Sequence, residues 1–137
     1  MRTLPATVRV HLPAGITLRQ GRVWSFGAQL YDDNPRFHYE IARVPKRLGD
    51  RLELGLHFES RATNQNRRLL TGFAAHLLQI KAELGDGMEA EPWDRGWTKV
   101  YETMPLRPYN SAYQEFVASR MAKIIQVLHP IYRSLHR

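Results

Sequence analysis

Hydrophobic and polar residues alternate strictly through residues 51–60, RLELGLHFES. Leu52, Leu54, Leu56 and Phe58 fall on one side, and Arg51, Glu53, Gly55, His57 and Glu59 on the other. A period of two marks a strand with one buried face. The same period groups Phe37, Tyr39 and Ile41 in 36–44 (RFHYEIARV), and Trp24, Phe26, Ala28 and Leu30 in 22–31 (RVWSFGAQLY). Residues 7–12 (TVRVHL) alternate too and predict a first strand. Between the second and third segments, YDDNPR is turn chemistry: Asp32, Asp33 and Asn34 can bond their own backbone, and Pro35 limits continuation.

The period changes over 64–84, where Leu69, Leu70, Phe73, Leu77, Ile80 and Leu84 recur at three- and four-residue steps. That predicts one amphipathic helix, with Thr63 or Asn64 as N-cap and Gly85 as a left-handed C-cap. GMEAEPW and WTKVYETM flank Asp94, Arg95 and Gly96 and read as a second hairpin. A last helix begins near Ser111, with Gln114 completing a capping box. Its stripe is Val117, Met121, Ile124, Leu128, Ile131 and Leu135, and Pro130 should kink or break it near its end. The order ββββαββα predicts an α+β fold in a single domain, 1–137. An antiparallel meander and a second hairpin would be packed by two long helices as a two-layer sandwich.

Hairpin geometry then fixes faces, because a one-residue slip would send every side chain to the wrong side. Centring the 44–51 connection sets Phe37 opposite Phe58, Tyr39 opposite Leu56 and Ile41 opposite Leu54. Centring the 31–36 turn sets Leu30 opposite Phe37, Ala28 opposite Tyr39 and Trp24 opposite Arg43. The second face carries a row of Gly27, Glu40 and Gly55 and a row of Gln29, His38 and His57, with Tyr31, Arg36 and Glu59 beyond. Glycine inside a strand marks a bulge, or close approach by a ligand or another backbone. Gln29, His38, Glu40, Gly55, His57 and Glu59 are therefore a candidate ligand or partner surface, against the plainer reading of a solvated face. His38 and His57 with Glu40 or Glu59 can be drawn as a metal site. Opposed histidines on a flat sheet, however, need a third ligand from elsewhere, and helical H-x-x-x-H spacing is absent, so neither metal nor cofactor is expected.

Composition narrows the classes. The absence of cysteine excludes disulfides, thiolate metal sites and a cysteine nucleophile, and agrees with a cytoplasmic protein. Pro5, Arg9 and Pro13 interrupt the start, and no stretch reaches membrane-spanning length, so no membrane association is expected. No G-x-S-x-G, Walker A, H-E-x-x-H or dinucleotide fingerprint occurs, and E-A-E with Lys99 does not match the D/E-x-K element of restriction-type nucleases. The expectation leans away from an enzyme.

The formal net charge is +7. Residues 1–31 hold four Arg and no acid, and 107–137 hold four Arg and Lys123 against Glu115 alone. Such ends attract polyanions or simply confer solubility. The nucleic-acid candidates are Arg2 and Arg9, then Arg95 and Lys99 beside Trp93 and Trp97 on the second hairpin, then Arg120, Lys123 and Arg133 on the last helix. The tryptophans would stack on bases if exposed, or staple the hairpin to a helix end if buried. Glu91 opposite Lys99 suggests a cross-strand ion pair, and His76 a boundary histidine.

From residue 36 onward, RFHYEIARV, RLELGLHFES, the N-x-x-L-L helix, the E-x-E-x-W strand, K-V-Y and the closing H-P-I-Y-R-S-L resemble the prokaryotic domain of unknown function DUF4268, often found beside restriction-type nuclease domains. The resemblance implies the fold and a defence or DNA-metabolism context, and it carries no catalytic residues. The leading expectation is a non-catalytic module that binds DNA or RNA or assists a nucleic-acid-processing enzyme. The alternatives are a protein-interaction or homodimerisation domain using the Gly27/Glu40/Gly55 face, and a small-ligand enzyme or sensor built on His38, Glu40 and His57.

Overall fold

The computed structural model describes residues 1–45, 47 and 49–136. Six strands, β1 (Arg19–Trp24), β2 (Gly27–Tyr31), β3 (Phe37–Arg43), β4 (Arg51–Phe58), β5 (Glu89–Pro92) and β6 (Thr98–Pro105), form one antiparallel sheet in the order β1-β2-β3-β4-β6-β5. Among the described residues the helices α1 (Leu4–Val10), α2 (Thr63–Ala74), α3 (Leu77–Leu84) and α4 (Ser111–Leu135) complete an α+β fold with sheet packed against helices. The even residues of β4, from Leu52 to Phe58, are buried beneath Leu69 and Phe73 of α2 and the Val117, Met121, Ile124 and Leu128 stripe of α4. The β3–β4 register follows the sequence: Phe37 faces Phe58, Tyr39 faces Leu56 and Ile41 faces Leu54. The β5–β6 hairpin turns through Asp94, Arg95 and Gly96, with Arg95 (φ 55°) and Gly96 (φ 78°) both left-handed.

Several expectations are corrected. Residues 7–12 are not a strand. Pro5 sits in the first turn of α1, where its missing N–H is not needed, and Leu4 and Val8, four apart, bury together against α4. Val10, which alternation would have buried, is 80% exposed. The 22–31 run is two strands folded at Ser25 and Phe26, so Phe26 is 56% exposed at a hairpin tip, and Trp24 lies over Gly27 rather than in the core. The β2–β3 pairing differs from the centred register by two residues: Leu30 faces Tyr39, Ala28 faces Ile41 and Gln29 faces Glu40. A two-residue shift preserves faces, so only the rows change.

The 64–84 helix is broken at Ala75 and His76, where the His76 ring donates to the Gly72 carbonyl at the end of α2. The N-cap of α2 is Ala62 rather than Thr63 or Asn64, and Gly85 closes α3 with φ 104° and ψ 164°, outside the left-handed helical region. Asn110, not a Ser111–Gln114 box, caps α4 by accepting from the Tyr113 N–H. Pro130 does not break α4, which continues to Leu135. Among the described residues no helix is long and apolar enough to cross a membrane.

Candidate functional site

The second face of the sheet is polar but not solvated: His38, Glu53 and His57 are all buried. Strand pairing sets His38 directly opposite His57, with ring centroids 5.6 Å apart. Glu40 reaches the pair from two residues along β3. Glu59 follows the end of β4, where its backbone N–H donates to the Arg36 carbonyl. Both carboxylates that the sequence offered to the histidine pair, Glu40 and Glu59, thus reach it. One donor atom from each of His38, Glu40, His57 and Glu59 falls within 4.8 Å of the others.

The outer bonds decide which atoms face inward. A carbonyl only accepts, so His38 must carry its proton on Nδ1, which donates to the Pro35 carbonyl across 2.8 Å. Its Nε2 then faces Glu40 at 3.2 Å and Glu59 at 3.6 Å. His57 donates from Nε2 to Glu53 across 2.7 Å, and its Nδ1 faces Glu59 at 3.1 Å and Glu40 at 3.9 Å. Glu53 is fixed by Lys99 at 2.7 Å, and Glu40 by the Gln29 amide at 2.9 Å.

Two imidazole nitrogens therefore converge with two carboxylates in a buried setting. Such a cluster needs either protons on the inward nitrogens or a cation between them. With protons, burial pushes the His57 imidazolium down but Glu53, Glu59 and Glu40 outweigh it, holding its pKa up at about 9. Burial likewise pushes the Glu40 carboxyl up, and the His38 bond, His57 and Gln29 overcome it to hold the pKa at about 2. Burial also raises Glu53, but His57 and Lys99 keep it below the usual carboxylate range, as a charged acceptor. With a cation, four donors about 2.1 Å from a tetrahedral ion stand about 3.4 Å from one another. The four histidine-to-glutamate distances, each taken to the nearer carboxylate oxygen, are 3.1 to 3.9 Å, and one donor atom from each residue lies within 4.8 Å of the others.

Gln29, His38, Glu40, His57 and Glu59 thus belong to one site, while Gly55 does not. A Cβ at Gly55 would lie 2.4 Å from the Val100 carbonyl and 2.7 Å from the Tyr101 Cα, so the close approach is by the backbone of β6. At Gly27 the close neighbour is the Trp24 ring. The proposed Gly27/Glu40/Gly55 interface row is corrected accordingly: Glu40 stands between Gln29 and Gly55, and neither glycine offers open surface.

Several basic candidates are occupied. Arg120 grips Glu102 with two bonds, of 2.8 and 2.7 Å, and also donates to the Leu84 carbonyl, tying α4 to β6 and α3. Lys99 serves Glu53 instead of pairing with Glu91, which accepts from the Tyr101 hydroxyl. Arg133 lies 3.5 Å from Asp32, and Arg95 sits over Trp97 beside Asp94. Arg2, Arg9 and Lys123 are exposed. Trp93 is 42% exposed, packs 5.4 Å from His57 in an edge arrangement and covers that end of the cluster. Trp97 supports it at 5.2 Å. Glu53, the outer partner of His57, was missed as a site residue, although its place four residues before His57 on the same strand face was visible in the alternation.

No protein family, curated protein or solved structure matches the chain.

Proposed function

We propose that the chain is a metal-binding module whose sheet face holds one divalent first-row transition ion. The donors would be His38 Nε2, His57 Nδ1 and the carboxylates of Glu40 and Glu59. The observation that carries this reading is the pairing of inward and outward atoms. Each inward histidine nitrogen has its opposite nitrogen committed, one to the Pro35 carbonyl and one to Glu53. Outer partners of this kind orient a ligating imidazole, fix its tautomer and raise its basicity. A nitrogen-and-carboxylate set without thiolate suits zinc, manganese, iron(II), cobalt or nickel.

The test is calorimetric titration of chelator-treated protein with Zn²⁺, Mn²⁺ and Co²⁺. One equivalent bound by the wild-type chain, and none by His38→Ala/His57→Ala, is expected. No heat with any of the three ions removes the reading.

A second reading, binding of nucleic acid, is favoured by one observation: α1 packs on α4, and three exposed basic residues stand there, Arg9 on α1, Arg2 just before it and Lys123 on α4. Phosphate contacts from such side chains would make affinity for single- or double-stranded DNA or RNA fall steeply with salt. Salt-independent binding, or none, rejects it.

A further inference from the structure

A groove of about 780 Å³ lies between the end of β6 and the first turns of α4, on the opposite face of the sheet from the histidine and glutamate cluster. Glu102 and Met104 of β6, which stand opposite the buried Leu54 and Leu52, form its floor. Ala112, Phe116 and Arg120 follow one another at four-residue steps along α4 and form its wall. Arg120, bonded to Glu102 and to the Leu84 carbonyl, bounds one end, and the turn carrying Arg107 and Pro108 bounds the other.

The groove runs beside a bare stretch of sheet edge. β5 begins at Glu89, opposite Tyr101, so the part of β6 from Glu102 to Pro105 has no neighbouring strand on that side. That edge is poorly made for an added peptide strand. Pro105 has no N–H, its carbonyl accepts from the Tyr113 hydroxyl across 2.9 Å, and the Thr103 carbonyl accepts from Arg51 across 3.0 Å. Recognition therefore falls to side chains. Phe116, 60% exposed, and Met104, half-buried, bring apolar surface to the groove from α4 and β6, and covering such surface is favourable.

Charge narrows the occupant. The charged groups of the lining are Glu102, Arg120 and Arg107. The first two neutralise each other through two bonds. Arg107 is exposed and has no carboxylate partner among the described residues. It stands by the Tyr113 hydroxyl: burial pushes that group's pKa up, and a backbone bond and the charge of Arg107 pull against the shift. One unpaired guanidinium balances one negative charge, and a carboxylate meets it with two parallel N–H···O bonds. The groove is also in the range of about 300–1,000 Å³ typical of small-molecule sites, far more than a bare carboxylate fills. We infer that it binds a small monocarboxylate with an apolar body, the carboxylate on Arg107 and the hydrocarbon along Met104 and Phe116. The inference is independent of the metal-binding reading.

The experiment titrates the full chain with octanoate, 1-octanol and acetate, following the Met104 methyl resonance by NMR. Octanoate should shift that resonance saturably, 1-octanol should bind about tenfold more weakly or worse, and acetate should leave the resonance unmoved. Arg107→Gln should weaken octanoate to the level of 1-octanol and leave 1-octanol unchanged. Phe116→Ala, at an exposed position, should weaken both without altering the fold. A Met104 methyl that octanoate does not move overturns the groove. Equal affinity for octanoate and 1-octanol, or octanoate binding unchanged in Arg107→Gln, overturns the carboxylate on Arg107. Saturation by acetate alone overturns the apolar body. A dimer in sedimentation that Phe116→Ala dissociates assigns the groove to a second copy of the chain and overturns the small ligand.

Discussion

His57 donates from Nε2 to the Glu53 carboxylate across 2.7 Å, and the two residues stand four apart on the same buried face of β4. That bond turns the other ring nitrogen toward Glu40 and Glu59, so Glu53 positions a ligand without being one. Replacing such a partner typically weakens metal binding by about 10–100-fold. Glu53→Ala should show that loss by calorimetry, while Glu53→Gln, which can still accept from Nε2, should recover part of it. Unchanged affinity in Glu53→Ala would mean that the ring is oriented by something else.

Gly55 is a packing requirement of the β4–β6 pair. A methyl group there meets backbone rather than a movable side chain, so Gly55→Ala should destabilise by about 1–3 kcal/mol or more in urea melts. Gly87→Ala, with nothing within 4 Å of the added carbon, serves as the comparison and should change little. Equal melts for the two variants would contradict the close approach.

Arg120 and Lys123 stand three apart on α4 but should behave differently. Arg120→Ala strands the buried Glu102 carboxylate and should cost about 1–3 kcal/mol. Lys123→Glu, at an exposed position, should stay within about 0.5 kcal/mol of wild type. Only the Lys123 variant can therefore probe nucleic-acid binding on this helix without also probing stability.

A third buried histidine gives the fold a pH dependence. His129 accepts the Tyr39 hydroxyl proton at Nδ1 and donates from Nε2 to Asp32, each across 3.0 Å. Burial pulls its pKa below the ordinary 6.5. Asp32 and Asp33 oppose that shift, and Arg133 adds to it. As pH falls through about 6.5 the unfolded chain takes up this proton before the folded one does. The contribution of His129 is therefore full above that value and is lost between it and the lowered folded pKa. NMR titration should place the His129 pKa below 6.5, and His129→Gln should flatten the fall in melting midpoint from pH 7 toward pH 5. A His129 pKa at or above 6.5 would contradict this.

The clearest parts of the sequence were those where burial and period agree. The Leu52-to-Phe58 face, its register with Phe37, Tyr39 and Ile41, and the hairpin around Arg95 all follow from alternation and turn chemistry. The N-terminal segment misled because TVRVHL fits a period of two, while the burial that matters is the Leu4–Val8 step of one helical turn. The β2–β3 register escaped by two residues because Asn34, Pro35 and Arg36 can turn in more than one place, and face identity cannot report an even shift. The histidines and glutamates of the site could be named as sharing a face. Their convergence follows from the β3–β4 register and from Glu59 being held by Arg36 beyond the end of the strand, while the β2–β3 shift exchanged Gly27 for Gln29 beside Glu40.

The most direct measurement of the central claim is anomalous diffraction from crystals grown with MnCl₂ or ZnCl₂. A single strong peak is expected about 2.1 Å from His38 Nε2, His57 Nδ1 and an oxygen of each of Glu40 and Glu59. An ion seated on other residues, or none between these four while the imidazoles keep their contacts to the carboxylates, would show the cluster to be a proton-bridged structural network instead.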